Sequence, residues 1–143
     1  RDYAVTGVQT CALPIYAGMS NYYLGAEYSR NIPENGKINY VEALIRTFPN
    51  IDFVVGHAGL FQVEEVMTRL KGLKNVWVDT SFQSPEVIRE LVQTFGPERV
   101  MYASDWPYGY RLPHIKTVKV ACRGDQALEE LLFYENAKRL LRL

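Results

Sequence analysis

Cysteine is scarce in this chain, with Cys11 and Cys122 alone and far apart. Two such residues cannot build a disulfide framework or a structural zinc cluster, and the expected setting is a reducing cytoplasm. Net charge is absent, since sixteen basic residues face sixteen acidic ones. Nucleic acid and membrane surfaces select a basic face, so neither is an expected partner. No apolar run approaches the roughly 20 residues that span a bilayer, and no signal-peptide pattern opens the chain. No Gly-rich phosphate fingerprint follows any apolar run, which argues against a nucleotide-binding sheet. Only two histidines occur, His57 and His114. What remains is 143 residues, 48% hydrophobic, which is one domain's worth with a real core.

That core is written as alternating strands and helices. Ile38, Val41, Leu44, Ile45 and Phe48 fall at helical spacing, and Pro49-Asn50 ends the run. Asp52-Phe53-Val54-Val55-Gly56 reads as a buried strand that delivers His57-Ala58-Gly59. The pattern then repeats. Gln62 to Leu73 predicts a helix, and Val76 to Ser81 a strand with a polar end. Ser84-Pro85-Glu86 opens a helix to Phe95, with Ser84 as cap and Gly96-Pro97 as stop. Val100 to Ala103 is the next strand, and helices follow at His114–Cys122, Gln126–Leu132 (capped by Asp125) and Glu135–Leu141. Strand–helix units of 20 to 25 residues imply parallel βα pairs.

In a parallel sheet the carboxyl ends of all strands share one side, where α/β folds place their chemistry. His57, the Thr80-Ser81 pair and Asp105 stand just past three successive strands, so they are expected to converge. Asp105 precedes Trp106-Pro107 and Gly109, which break regular structure. A buried carboxylate there must be paired, solvated or bound to a metal. Imidazole and carboxylate suit zinc, manganese or iron. The bland alternatives are a capping Asp105 and a satisfied core histidine at 57.

Phe48-Pro49-Asn50, Gly56-His57-Ala58-Gly59, Asn75 to Ser81, Ser104-Asp105-Trp106-Pro107 and the closing Asn136 to Leu141 together resemble the amidohydrolase-related family. The resemblance implies the C-terminal half of a metal-dependent (β/α)8 TIM barrel, α/β, with about four parallel strands and their helices. It implies a hydrolase acting on a lactone, amide or similar carbonyl. The alternatives are a nonoxidative decarboxylase of the aminocarboxymuconate-semialdehyde decarboxylase type, or a catalytically dead half-barrel. By the same resemblance, His57 and Asp105 are the catalytic residues and ligands of a divalent metal, zinc first. Trp106, Tyr108 and Ser81 would line the pocket of a small-molecule substrate.

The family's first-strand His-x-His pair has no counterpart here. Residues Val5 to Ile15 look like the conceptual translation of a sequencing adapter, so Arg1 to Ile15 are read as a non-native scar and 16–143 as a partial barrel domain. Little contact between residues 1–15 and the rest is expected. Tyr16 stands where a histidine would be expected, and His and Tyr codons differ only in their first base. A chain of this extent is expected to be inactive by itself and to self-associate through open edges. Tyr22, Tyr23 and Tyr28 are candidates for a lid, or for simple packing on the barrel top.

Overall fold

The structure, a computed structural model, describes residues 13–19 and 32–143. The proposed lid tyrosines, Cys11 and residues 1–12 lie outside the described residues. Four strands form one parallel sheet in sequence order: β1 (Leu13–Tyr16), β2 (Phe53–Gly56), β3 (Val76–Asp79) and β4 (Val100–Met101). The helices are α1 (Ile38–Thr47), α2 (Val63–Leu70), α3 (Pro85–Phe95), α4 (Arg111–Cys122), α5 (Gln126–Glu130) and α6 (Asn136–Leu141).

Strands β3 and β4 are buried on both faces, as parallel strands are, while the edge strand β1 leaves Pro14 and Tyr16 exposed. Phe53, Val55, Val76, Val78 and Val100 point to the helices, where they meet Ile38, Val41 and Ile45 of α1, Val66 and Leu70 of α2, and Ile88, Leu91 and Phe95 of α3. Each large side chain so buried contributes about 1.5–3 kcal/mol. The alternate residues Val54, Trp77 and Met101 form a smaller cluster on the other face with Ala137 and Leu140 of α6. Period two along each strand separates these two layers. Between α1 and α2, Glu42 receives both Arg46 and Arg69, and these guanidinium groups, Arg46 first, hold its carboxyl below the ordinary value against the opposing effect of burial.

Several local expectations are met at atomic detail. Ser84 accepts a hydrogen bond from the Val87 amide, and Asp125 accepts one from Leu128. Others shift for identifiable reasons. β4 stops at Met101 because the Tyr102 amide donates to Leu132 O at 2.7 Å and the Ala103 amide to Thr80 Oγ1 at 3.3 Å, away from any strand ladder. α4 begins at Arg111, three residues early, and Pro113 is accommodated in its first turn, where no amide donor is needed. α5 and α6 are joined by a π-turn, Leu131–Glu135, where a break was expected.

The expectation of little contact for residues 1–15 is corrected at its end. Leu13, Pro14 and Ile15 pair with Phe53, Val54 and Val55, and Ile15 packs against the main core. Without this strand, β2 would present an open edge of unpaired N–H and C=O groups. A backbone ladder needs only those groups, so it accepts the segment whatever its origin, and Pro14 is tolerated on an edge.

Cys122 is buried in α4, and its thiol is pushed up to about 11, mainly by burial, with Glu129 and Asp125 adding to the effect. It is expected to be inert as a nucleophile. In a Cys11→Ser variant at about pH 8, a thiol-specific disulfide reagent should consume nothing until denaturant is added. Rapid labelling of the folded chain would show that α4 opens readily.

Candidate functional site

Because the strands are parallel, Tyr16, His57, the residues after Asp79 and the Ser104-Asp105 segment all emerge on one rim. His57 follows β2 directly. From His57 through Leu60 the backbone φ values are 53°, 45°, 83° and 55°, four consecutive residues in the left-handed region. Such conformations cost non-glycine residues roughly 1–2 kcal/mol each, and they persist only where the surroundings hold them. Here the surroundings are specific. The His57 amide donates to Asp79 Oδ1 at 3.1 Å, and Gln83 Nε2 donates to His57 O at 2.6 Å and to Leu60 O at 3.3 Å. Gly59 is required at its place, since a Cβ there would lie 2.5 Å from Val66 Cγ2.

The imidazole is held as well. His57 Nδ1 lies 2.6 Å from Ser81 Oγ, and the Ser81 hydroxyl donates to Asp79 Oδ1. His57 Nε2 faces outward, 3.8 Å from Asp105 Oδ2. The two side chains are 15% and 23% exposed, so both are reachable yet largely shielded from water. Asp105 also has a left-handed backbone, φ 54°, a region in which Asp is several-fold enriched. Its carbonyl accepts the amides of Tyr108 and Gly109 at 2.8 and 3.0 Å, which closes a tight turn after β4. A Cβ at Gly109 would meet Ser104 O at 1.9 Å, so this turn admits only glycine there.

The structure therefore brings His57 and Asp105 together, well inside the separation of about 10 Å beyond which a shared metal fails. Trp106 and Tyr108 stand exposed beside Asp105, with the Arg111 guanidinium 5.0 Å over the Trp106 ring. Ser81 is placed differently from the pocket wall expected of it. It is fully buried, and its hydroxyl is spent on His57 and Asp79, so it supports the histidine from behind. Thr80 is likewise buried and ties β3 to the chain beyond β4. His114 packs edge-on to Phe82 and pairs Nδ1 with Tyr110 O at 2.7 Å, within its own helix start.

Asp79 is the residue that sequence reasoning passed over, taking it for the polar end of a strand. Burial pushes its carboxyl above the ordinary value, opposed by the hydrogen bonds of Ser81 and by His57. Tyr16 ends β1 with its ring 5.5 Å from the His57 ring, in register with Gly56. Among the described residues, no group of three or more His, Cys, Asp or Glu side chains is gathered as a metal site, and no helix is long and apolar enough to cross a membrane.

Parallel strands, each followed by helix, with single polar residues at the strand ends define a partial (β/α) barrel. The chain belongs to the amidohydrolase family, whose profile matches residues 36–143. No curated protein matches it. Among solved structures it is similar to 5-carboxyvanillate decarboxylase from Sphingomonas paucimobilis, with TM-score 0.64 at 19% identity over 92% of this chain and 49% of that one. The enzyme of the same name from Novosphingobium aromaticivorans, complexed with manganese and 4-hydroxy-3-methoxy-5-nitrobenzoic acid, gives TM-score 0.62 at 18% identity, over 92% and 48% of the two chains. An amidohydrolase from Burkholderia multivorans with bound zinc gives TM-score 0.61 at 19% identity, over 74% and 49%. The chain thus spans about half the length of the solved structures it matches.

Proposed function

We propose that this chain forms part of a divalent-metal-dependent barrel enzyme that hydrolyses a lactone, amide or similar carbonyl of a small molecule. The observation that carries the reading is His57 Nε2 facing Asp105 Oδ2 across 3.8 Å on the rim. An imidazole nitrogen and a carboxylate oxygen are ligand atoms of the kind that suits zinc, with manganese and iron as alternatives. Their separation is less than two metal–ligand bonds of about 2.0–2.2 Å laid end to end, so the pair fits one ion. When bound there, the ion would polarise the substrate's carbonyl and acidify a water.

The residues of the chain supply the rest. Asp105 Oδ2 takes the proton of the attacking water, and His57, as the second ligand, fixes where that water is held. Trp106 and Tyr108 wall the substrate on the open side. Tyr16 occupies a rim position from which a histidine would reach the same space, and a histidine at that position is part of the proposal. With only two ligands among the described residues, the chain by itself is expected to bind metal weakly and turn over nothing, and to self-associate through its edges.

Nonoxidative decarboxylation is the second reading, and one observation favours it. The likeness to the two decarboxylases extends over 92% of this chain, and that to the zinc amidohydrolase over 74%. Product analysis separates the two. A barrel that joins this chain, with Tyr16→His, to an upstream half should be loaded with zinc or manganese and offered lactones, amides and aromatic carboxylates. Ring-opened or acid products without carbon dioxide support hydrolysis. Stoichiometric carbon dioxide from a carboxylate supports the second reading, and neither product from a metal-loaded barrel would overturn both.

A further inference from the structure

His57 is held by three residues at and just beyond the end of β3, and their hydrogen bonds settle which ring nitrogen carries the proton. Asp79 Oδ1 accepts two backbone amides, from His57 at 3.1 Å and from Ser81 at 2.9 Å. An oxygen that already accepts two N–H groups is not the one bearing an acid proton, so the Ser81 hydroxyl must donate to it. A serine hydroxyl has a single hydrogen. Once that hydrogen is committed to Asp79, Ser81 Oγ is left as acceptor for His57 Nδ1, 2.6 Å away. Nδ1 then carries the proton, and Nε2 of the neutral ring keeps its lone pair, aimed at Asp105. This ordering holds whichever charge state Asp79 adopts, because it rests on Oδ1 alone.

We infer that Asp79, Ser81 and Gln83 are the positioning residues of His57, fixing it as the Nδ1–H tautomer with Nε2 presented as an unprotonated ligand atom. Gln83 contributes through the backbone. Its amide holds His57 O and Leu60 O, the two ends of the left-handed stretch, while Asp79 holds the His57 amide. The loop after β3 therefore sets both the ring's orientation and its proton. In metal sites the hydrogen bond on the far ring nitrogen is what selects the tautomer, and here a serine relays it from a carboxylate. The inference deepens the reading of His57 as a metal and proton-handling residue and rests on it only for its consequence, since the tautomer is a property of this chain alone.

The test is long-range 1H–15N correlation on this chain with 15N-labelled histidine, at about pH 8.5 where an ordinary imidazole is neutral. His114 is the only other histidine, and His114→Gln assigns the His57 signals. In the unaltered chain the Nδ1–H form should outnumber the other by roughly tenfold, as one net hydrogen bond allows. Ser81→Ala should bring the ratio to about parity or reverse it, and Ser81→Thr, which keeps the hydroxyl, should restore it. A protonated Nε2 in the unaltered chain would overturn the proposal, and so would a ratio unmoved in a folded Ser81→Ala. The first measurement needs no variant, so an unfolded Ser81→Ala does not rescue the idea. None of these readings depends on turnover, so the tautomer and the proposed reaction stand or fall separately.

Discussion

Asp105→Asn is expected to lower kcat/KM of the assembled barrel by about 10²–10⁴-fold, the usual contribution of a positioned acid–base group. The substitution is close to isosteric and removes only charge. Asn tolerates the left-handed backbone found here, φ 54°, as well as Asp does. The turn that follows is held through the Asp105 carbonyl, which accepts Tyr108 and Gly109 and is untouched by the change. At 23% exposure, the side chain leaves no buried group without a partner. The melting temperature should therefore stay within a few degrees of the unaltered protein while activity falls. Steady-state kinetics beside thermal unfolding would check both halves. Full activity in Asp105→Asn would remove Asp105 from the mechanism.

Asn136→Leu should instead destabilise the chain by about 2–6 kcal/mol, because it strands two carbonyls at about 1–3 kcal/mol each. Asn136 is fully buried at the start of α6. Its Nδ2 donates to Pro97 O at 2.6 Å and to Val100 O at 2.7 Å, and its Oδ1 accepts from Arg139 at 2.9 Å. These bonds tie the closing helix to the entry of β4, the strand that leads to Asp105. Leucine keeps the branched skeleton, is somewhat bulkier and offers no donor, so the loss is chiefly one of polar satisfaction and leaves no cavity. Denaturant unfolding of Asn136→Leu beside Lys138→Ala, a change at a half-exposed site on the same helix, would measure it. A loss below about 1 kcal/mol for Asn136→Leu would mean that the two carbonyls find other partners.

Both residues were visible in the sequence, for different reasons. Asp105 declares itself by ending a short apolar run, and Asn136 only by belonging to a motif. The strands and most helices were equally legible, since apolar spacing and caps such as Ser84 and Asp125 act over a few neighbouring residues. Boundaries failed where a distant partner intervened. Tyr102 leaves the ladder for Leu132, and Ala103 turns to Thr80 Oγ1. The left-handed stretch after β2 carries no local signal beyond Gly59, because Gln83 and Asp79 hold it from another loop. Ser81 was expected to face substrate, yet the same register that brings Val55 beside Val78 turns its hydroxyl to His57.

The sequence by itself determined a parallel strand–helix order, a family, and a rim on which His57 and Asp105 would meet, because periodicity, capping and strand ends are properties of consecutive residues. Tertiary structure alone decided the 3.8 Å between Nε2 and Oδ2, the service of Asp79 and Ser81 to the imidazole, and the admission of Leu13–Ile15 to the sheet. Those contacts join residues that are distant in the chain. Their distances follow from the register between neighbouring strands, which no single stretch of chain encodes.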